Sequence, residues 1–129
     1  IATVQGVSIV AEAMRNNGSS IALIETGCLT LKNITSMFPS FVQDASVAIT
    51  SVINAMKENV KSTSLMKEAC DLIWVLSSEE DNIRSKILAL DGISILMKCL
   101  EQNSDDPEVQ TSALRAFNQL AKSNTQNGV

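Results

Sequence analysis

The eight residues at 69–76, ACDLIWVL, share a pattern with GCLTLKNI at 27–34 and ALRAFNQL at 113–120. The three starts are separated by 42 and 44 residues. Apolar positions that recur at spacings of three to five residues predict one face of an α-helix, whereas a half-buried strand would alternate. The recurring columns are Gly27, Ala69 and Ala113; Cys28, Cys70 and Leu114; Leu31, Ile73 and Phe117; and Ile34, Leu76 and Leu120.

A second recurrent segment precedes each of these helices. It reads GVSIVAEAM at 6–14, AITSVINAM at 48–56 and GISILMKCL at 92–100, again offset by 42 and 44 residues. Two helices therefore repeat in a fixed order, and the last begins at Asp106-Pro107, a capping aspartate followed by proline at the first helical position. A period of forty-odd residues predicts an α-solenoid, in which each unit packs against its neighbours.

The best-preserved unit is DNIRSKILALDGISILMKCLEQNSDDPEVQTSALRAFNQLAKSN at 81–124. It resembles an armadillo repeat, whose pattern is a short first helix rising from an Asn-Arg segment, a glycine, a second helix, and a third helix ending in Ala-Leu-x-Asn-Leu. HEAT repeats are the alternative, because they share the period and the layout. The resemblance implies an all-α fold, a right-handed solenoid of about three units in one domain spanning 1–129.

The expected units are 1–36, 37–78 and 79–122, and 123–129 is interpreted as the start of a further, truncated unit. Unit one keeps at most a remnant of its first helix in IATVQ, at 1–5. In unit two, residues 37–47 do not align with the first helix of unit three without gaps, and Ala48 stands where glycine is expected. Neither end carries the polar cap of a solenoid, so we expect a piece of a longer array, or ends covered by another protomer or domain.

Composition argues against catalysis and against cofactor or metal binding. The chain has no histidine, which removes the commonest general base and zinc ligand, and its three cysteines form no CxxC pair. Cys28 and Cys70 are interpreted as small buried residues in the column of Leu114, not as nucleophiles. We therefore predict no enzyme, no catalytic residues, no metal and no cofactor.

Charge and hydropathy restrict the partners. Ten Lys and Arg stand against fourteen Asp and Glu, which disfavours nucleic acid, and no apolar run is long enough for membrane insertion. With unpaired cysteines and no visible signal peptide, the sequence predicts a soluble, intracellular protein of the cytoplasm or the nucleus.

The resemblance implies that the third helices line a concave groove, where import adaptors often carry Trp and Asn. The two corresponding columns are Leu29, Asp71 and Arg115, and Asn33, Val75 and Gln119. Tryptophan is missing from its column and only Asn33 keeps the amide, so a nuclear-import adaptor is the less favoured alternative. Asp71 is interpreted first as a solvated polar residue on a helix face, and second as a partner contact.

Trp74 shares a column with Lys32 and Asn118, both polar. This predicts that Trp74 lies at an exposed edge, where tryptophan often anchors a partner, or else covers the neighbouring unit as part of the core rim. The function expected from these residues is a protein-interaction scaffold that binds a protein or peptide of mixed charge. A structural spacer or oligomerisation segment, self-associating through uncapped ends, stays open. The predicted partner-binding residues are Leu29, Lys32, Asn33, Asp71, Trp74, Val75, Arg115 and Gln119.

Overall fold

A computed structural model describes the backbone of residues 4–78 and 80–127, and the side chains of residues 5–78 and 80–122. The described part consists of helices joined by short turns and contains no strand, so the all-α prediction is confirmed. The helices are α1 (Val4–Asn16), α2 (Ile21–Met37), α3 (Val42–Ala45), α4 (Ile49–Glu58), α5 (Thr63–Ser77), α6 (Asp81–Ala89), α7 (Gly92–Gln102) and α8 (Pro107–Asn127), and 3-10 turns cover Pro39–Phe41 and Ser46–Ala48.

The start of α8 follows the sequence signal. Asp106 Oδ1 accepts hydrogen bonds from the backbone N–H groups of Glu108 and Val109, each at 3.1 Å, and Pro107 is the first helical residue. These bonds satisfy two donors that a helix leaves open at its first turn, and proline has no N–H to satisfy. The predicted boundary is confirmed.

The segments before α4 and α7 differ, as the sequence mismatch predicted. Before α7, helix α6 ends in a turn in which Asp91 has φ 65°, and a Cβ on Gly92 would lie 2.5 Å from Ile87 Cγ2. Glycine is therefore required for this close approach. Before α4, the chain passes through α3 and two 3-10 turns, and Ala48 has φ −78°, which needs no glycine.

Helix α5 packs between α2 and α8, and α4 packs between α1 and α7. Each of α2, α5 and α8 also contacts one of the helices α1, α4 and α7 that precede it in the chain. One continuous apolar cluster runs through these contacts. The predicted core columns are buried in the middle of the chain, at Ala69, Cys70, Ile73 and Leu76.

One predicted core residue is not in the core. Leu114 shares its column with Cys28 and Cys70, which are fully buried, but 56% of its surface is exposed. The reason is position: Cys70 of α5 meets Cys99 of α7, with the sulfur atoms 4.0 Å apart, whereas no later helix of the described chain covers Leu114. The prediction that the whole column is core was wrong for this residue.

The two chain ends lie partly outside the described residues. Of the remnant expected at 1–5, residues 1–3 are not described and α1 begins at Val4. Of the tail at 123–129, α8 continues to Asn127 and the last two residues are not described. None of the helices in the described ranges is both long and apolar enough to cross a membrane.

Two leucines of α8 provide a matched test of this packing. Leu120 is fully buried and Leu114 is exposed, so the change to alanine removes the same atoms from two environments. We expect Leu120→Ala to lower the free energy of unfolding by about 2–5 kcal/mol, because it leaves a cavity. Leu114→Ala should change it by less than about 0.5 kcal/mol in dilute solution. Urea denaturation followed by circular dichroism measures both, and equal losses would contradict the packing.

Candidate functional site

Helices α2, α5 and α8 lie side by side and place the predicted binding residues on one row of neighbouring helices. We call the part of these helices that carries the eight predicted residues the three-helix surface. Its members differ in exposure: Leu29, Asn33, Trp74 and Arg115 are exposed, Lys32, Val75 and Gln119 are half-buried, and Asp71 is buried.

Asp71 is the most enclosed charge of this surface, with only 7% of its area exposed. Its Oδ2 accepts hydrogen bonds from Lys67 Nζ at 3.3 Å and from Lys32 Nζ at 3.4 Å. Lys32 also reaches Glu68 Oε1 at 3.3 Å, so one lysine of α2 joins two acids of α5. The first interpretation of Asp71, a solvated residue, was wrong, because α2 and α8 pack on both sides of α5 and enclose it.

The enclosure acts on the ionisation of Asp71 in two opposing ways. Burial raises the pKa of the carboxyl group, but the Ser112 hydroxyl and the two lysines stabilise the charged form. The balance lies with the charged form, and the pKa of Asp71 is below its ordinary value. Its second oxygen, Oδ1, is buried and accepts no hydrogen bond of good geometry. The group is therefore a fixed, partly unsatisfied anion between α5 and α8.

A contact between an arginine and a tryptophan ring joins α5 to α8. The Arg115 guanidinium lies over the Trp74 ring, 5.2 Å from its centroid, within the range of a cation–π interaction. Trp74 is 37% exposed and also contacts the next helix through Arg115, so it combines features of both interpretations. By the repeat offsets, Trp74 is equivalent to Lys32, and Arg115 is equivalent to Asp71. The same two positions therefore form an ion pair between α2 and α5 and a cation–π contact between α5 and α8.

Two shallow depressions flank α5 on this surface. One holds about 290 Å³ between α5 and α8, and the other holds about 230 Å³ between α5 and the end of α2. The first is lined by Lys67, Asp71, Pro107, Glu108, Thr111, Ser112 and Arg115, and the second by Thr35, Ser36, Pro39, Val42, Trp74, Val75 and Ser78. The first is therefore charged, whereas the second combines hydroxyl groups with apolar side chains.

Sequence reasoning missed several polar residues that complete this surface. Lys67 and Glu68 were not predicted, although Lys67 and Asp71 are four residues apart on one helix face, a spacing that favours ion pairs. Ser64 Oγ donates to Glu25 Oε2 at 2.9 Å across the junction of α2 and α5. At the next junction, between α5 and α8, the positions equivalent to Glu25 and Ser64 are Lys67 and Glu108, whose opposite charges attract each other. The offsets of 42 and 44 residues, applied to charged residues as well as apolar ones, could have revealed this pairing.

The cysteines contribute to the core. All three are buried, and the sulfur atoms of Cys70 and Cys99 lie 4.0 Å apart as free thiols. Burial raises the pKa of the Cys28 thiol, which opposes formation of a nucleophilic thiolate. Among the described residues, no three Cys, Asp or Glu side chains lie close enough together to hold a metal ion.

Comparison with known proteins gives one partial likeness. The chain is 33% identical over 101 residues to Darlin of Dictyostelium discoideum. The matched region covers 78% of this chain but only 13% of Darlin, so the chain spans a small part of that relative. No family model matches the chain, and no solved structure matches it.

Asp71 gives a pH-dependent prediction. Because its pKa is below the ordinary value, its contribution to stability is present above about pH 4 and is lost as the pH falls through the lower, folded-state value. We expect Asp71→Asn to lower the free energy of unfolding at pH 7 by about 1–3 kcal/mol. The difference from the unmodified chain should shrink as the pH falls below about 4.

Urea denaturation at a series of pH values measures this difference. Asp105→Asn is the control, because Asp105 is exposed in the turn between α7 and α8 and undergoes the same change of side chain. It should leave stability at pH 7 within about 0.5 kcal/mol of the original. A loss in Asp71→Asn that is constant with pH would show that the ionised carboxylate is not its source.

Trp74 and Arg115 should be energetically coupled. We expect a double-mutant cycle of Trp74→Leu and Arg115→Met to give a coupling of about 0.5–1 kcal/mol in unfolding free energy, which is the cation–π contribution at an exposed site. Arg115→Met should also change the fluorescence of the single tryptophan. Additive effects of the two substitutions would contradict a direct contact.

Proposed function

We propose that the chain is part of an armadillo-type solenoid and acts as a non-enzymatic scaffold that binds an extended protein segment across α2, α5 and α8. The observation that carries the proposal is the row of equivalent contacts at two successive junctions, Lys32 with Asp71 and Trp74 with Arg115. A surface built from one position of each repeat offers a partner regularly spaced contacts, and affinity accumulates along it.

The packing order supports the solenoid part of the proposal. Third helices contact third helices and second helices contact second helices, each in chain order. Apolar columns are most completely buried in the middle unit and more open in the outer ones, as nearest-neighbour stacking requires. The match to a relative of which it covers 13% is compatible with one segment of a longer array.

The chemistry of the surface suggests the character of the partner. Trp74 and Val75 border the depression that has apolar lining, and Arg115 borders the charged one next to it. An extended segment with an apolar side chain beside Trp74 and an acidic side chain beside Arg115 would match both. The same row of helices carries further charges of both signs, so the proposed segment is of mixed charge. These charged residues are Lys32, Lys67, Glu25 and Glu68.

A catalytic use of this surface is not favoured by its electrostatics. Asp71 is the most enclosed carboxylate of the row, and although burial raises its pKa, the Ser112 hydroxyl and two lysines hold that pKa below the ordinary value. A general acid or base needs a pKa near the working pH, which is a shift in the opposite direction. The import-adaptor alternative is also not favoured, because Arg115 would oppose a purely basic signal.

A selected peptide tests this function. Extended peptides are selected from a random display library on the purified chain, and the tightest binder is titrated against variants with Trp74 fluorescence and NMR shifts as readouts. We expect Arg115→Glu to weaken binding about tenfold or more, equivalent to at least about 1.4 kcal/mol. Perturbed amide signals should fall on α2, α5 and α8.

The control is Lys98→Glu, which makes the same charge reversal at an exposed site on α7, outside the three-helix surface. It should leave affinity unchanged within about twofold. Equal losses in the two variants, or shifts confined to other helices, would refute the proposed site. Both variants are first shown to be folded by circular dichroism.

A further inference from the structure

Two free thiols meet inside the fold, one on α5 and one on α7. The sulfur atoms of Cys70 and Cys99 lie 4.0 Å apart, and both side chains are fully buried. The sulfur atoms of a disulfide are about 2 Å apart, so an approach of about 2 Å separates this contact from a covalent bond. The two thiols are therefore neighbours in the reduced chain, which is the first requirement for a disulfide.

The repeat pattern confines this thiol pair to one junction. Cys28 is equivalent to Cys70 by the offset of 42 residues, and Ala55 is equivalent to Cys99 by the offset of 44. One unit earlier, Cys28 of α2 therefore has an alanine of α4 at the position of its partner. Helices α2 and α4 contact each other, and both residues are buried. Cys28 is thus a buried cysteine with no thiol at the equivalent place, and it serves as an internal reference.

A buried asparagine fixes the backbone at Cys99. Asn103 Nδ2 donates to the Cys99 carbonyl oxygen at 2.9 Å and to the Val60 carbonyl oxygen at 2.8 Å. The Asn103 backbone N–H donates to the same Cys99 oxygen at 3.1 Å. These bonds are shielded from water, because only 5% of Asn103 is exposed. They hold the last turn of α7 against the turn between α4 and α5, and so maintain the position of Cys99.

The two thiols differ in acidity. The hydrogen bond with Cys70 lowers the pKa of Cys99, although burial acts in the opposite direction. The same hydrogen bond raises the pKa of Cys70, and burial raises it further. Cys99 is therefore the thiol that ionises first, while the Cys70 S–H donates to its sulfur. Because the thiolate is the form that attacks an oxidant, Cys99 takes the first step of an oxidation and Cys70 the second.

Burial restricts the oxidant to a small molecule. A bulky disulfide such as glutathione disulfide has no access to two sulfur atoms that are fully enclosed, whereas hydrogen peroxide is little larger than water and enters on brief local opening. We propose that Cys70 and Cys99 form an oxidation site, at which a small hydroperoxide converts the two thiols to a disulfide between α5 and α7. This site is independent of the partner-binding function proposed above.

The reaction takes two steps and consumes one hydroperoxide. The Cys99 thiolate attacks an oxygen of the O–O bond, so that an S–O bond forms, the O–O bond breaks, and the departing alkoxide or hydroxide takes up the proton that Cys99 released. Cys99 is then a sulfenic acid, oxidised by two electrons, and the peroxide is reduced by two.

The second step joins the two sulfur atoms. The Cys70 sulfur attacks the Cys99 sulfur, the S–S bond forms, the S–O bond breaks, and hydroxide leaves as water with the proton of Cys70. This step is favoured because the reacting atoms are held in one molecule and are already neighbours. Two thiols and one hydroperoxide thus give one disulfide, one water, and one alcohol or second water.

The disulfide would add a direct link that the reduced chain lacks. Helix α7 packs on α8 and also contacts α4 and α6. A bond between Cys70 and Cys99 joins residues 29 positions apart, and such a closed loop restricts the unfolded chain. The oxidised chain should therefore have a Tm about 5–10 °C above that of the reduced chain.

Oxidation of the folded chain tests the site. The reduced chain is treated with a small excess of hydrogen peroxide, unfolded, and alkylated with N-ethylmaleimide. We expect the label on all three cysteines before treatment and on Cys28 alone after it. Peptide mapping should find the disulfide between Cys70 and Cys99, and dithiothreitol should restore all three labels. Glutathione disulfide under the same conditions should leave all three cysteines free.

Three variants separate the site from general oxidation. Cys28→Ala is the matched control, since it removes a buried thiol outside the pair, and it should keep both the disulfide and the rise in Tm. Cys99→Ala should lose both; it should fold, because alanine stands at the equivalent positions 13 and 55. Cys70→Ser keeps a donor beside Cys99 and stops the reaction at the sulfenic acid, which dimedone added on unfolding should label at Cys99.

The proposal is overturned by any of three results. They are a folded chain that keeps three free thiols after peroxide treatment, a disulfide that includes Cys28, and a disulfide between Cys70 and Cys99 that leaves Tm unchanged. Dimedone on a cysteine other than Cys99 would contradict the order of the two steps. Equal oxidation by glutathione disulfide would contradict the restriction to small oxidants.

Discussion

The packing of α5 against α2 on one side and α8 on the other is the constraint on which the rest of the structure depends. A helix that covers a single core buries one stripe, whereas α5 buries Leu65, Met66, Ala69, Cys70, Asp71, Leu72, Ile73, Leu76 and Ser77. Each large apolar side chain among them stabilises the fold by about 1.5–3 kcal/mol through burial. Loss of α5 would therefore remove the packing that connects α2 to α8.

This double packing also explains the aspartate in the middle of an apolar stretch. A carboxylate enclosed between helices is costly unless it is paired, and Asp71 is paired with Lys32 of α2 and Lys67 of its own helix. Such a pair adds little net stability compared with apolar side chains of similar size. It is lost, however, when α2 moves along α5 by a full turn, about 5.4 Å, so we infer that Asp71 with Lys32 favours the observed alignment of these two helices.

The sequence predicted the helices because their apolar columns recur, and it predicted the start of α8 because capping chemistry is local. Prediction from the sequence was wrong about the exposure of residues whose burial depends on packing against another helix. Asp71 and Leu114 show the two kinds of error: Asp71 is polar and buried, whereas Leu114 is apolar and exposed. Periodicity gives the face of the helix on which a residue lies, but not whether another helix covers that face. The pairing of Trp74 with Arg115 likewise requires the alignment of α5 and α8, which no single helix encodes.

Helices that pack side by side share their stability through their contacts, and α5 takes part in two such contacts, with α2 and with α8. The segment proposed to lie across α2, α5 and α8 would contact all three helices at once. It would therefore bind the closed arrangement more tightly than one in which α2 or α8 has separated from α5. By linkage, a change that stabilises the packing of α5 on its neighbours also strengthens the binding of such a segment, even where the change does not contact it, because both restrict the same separation of the helices.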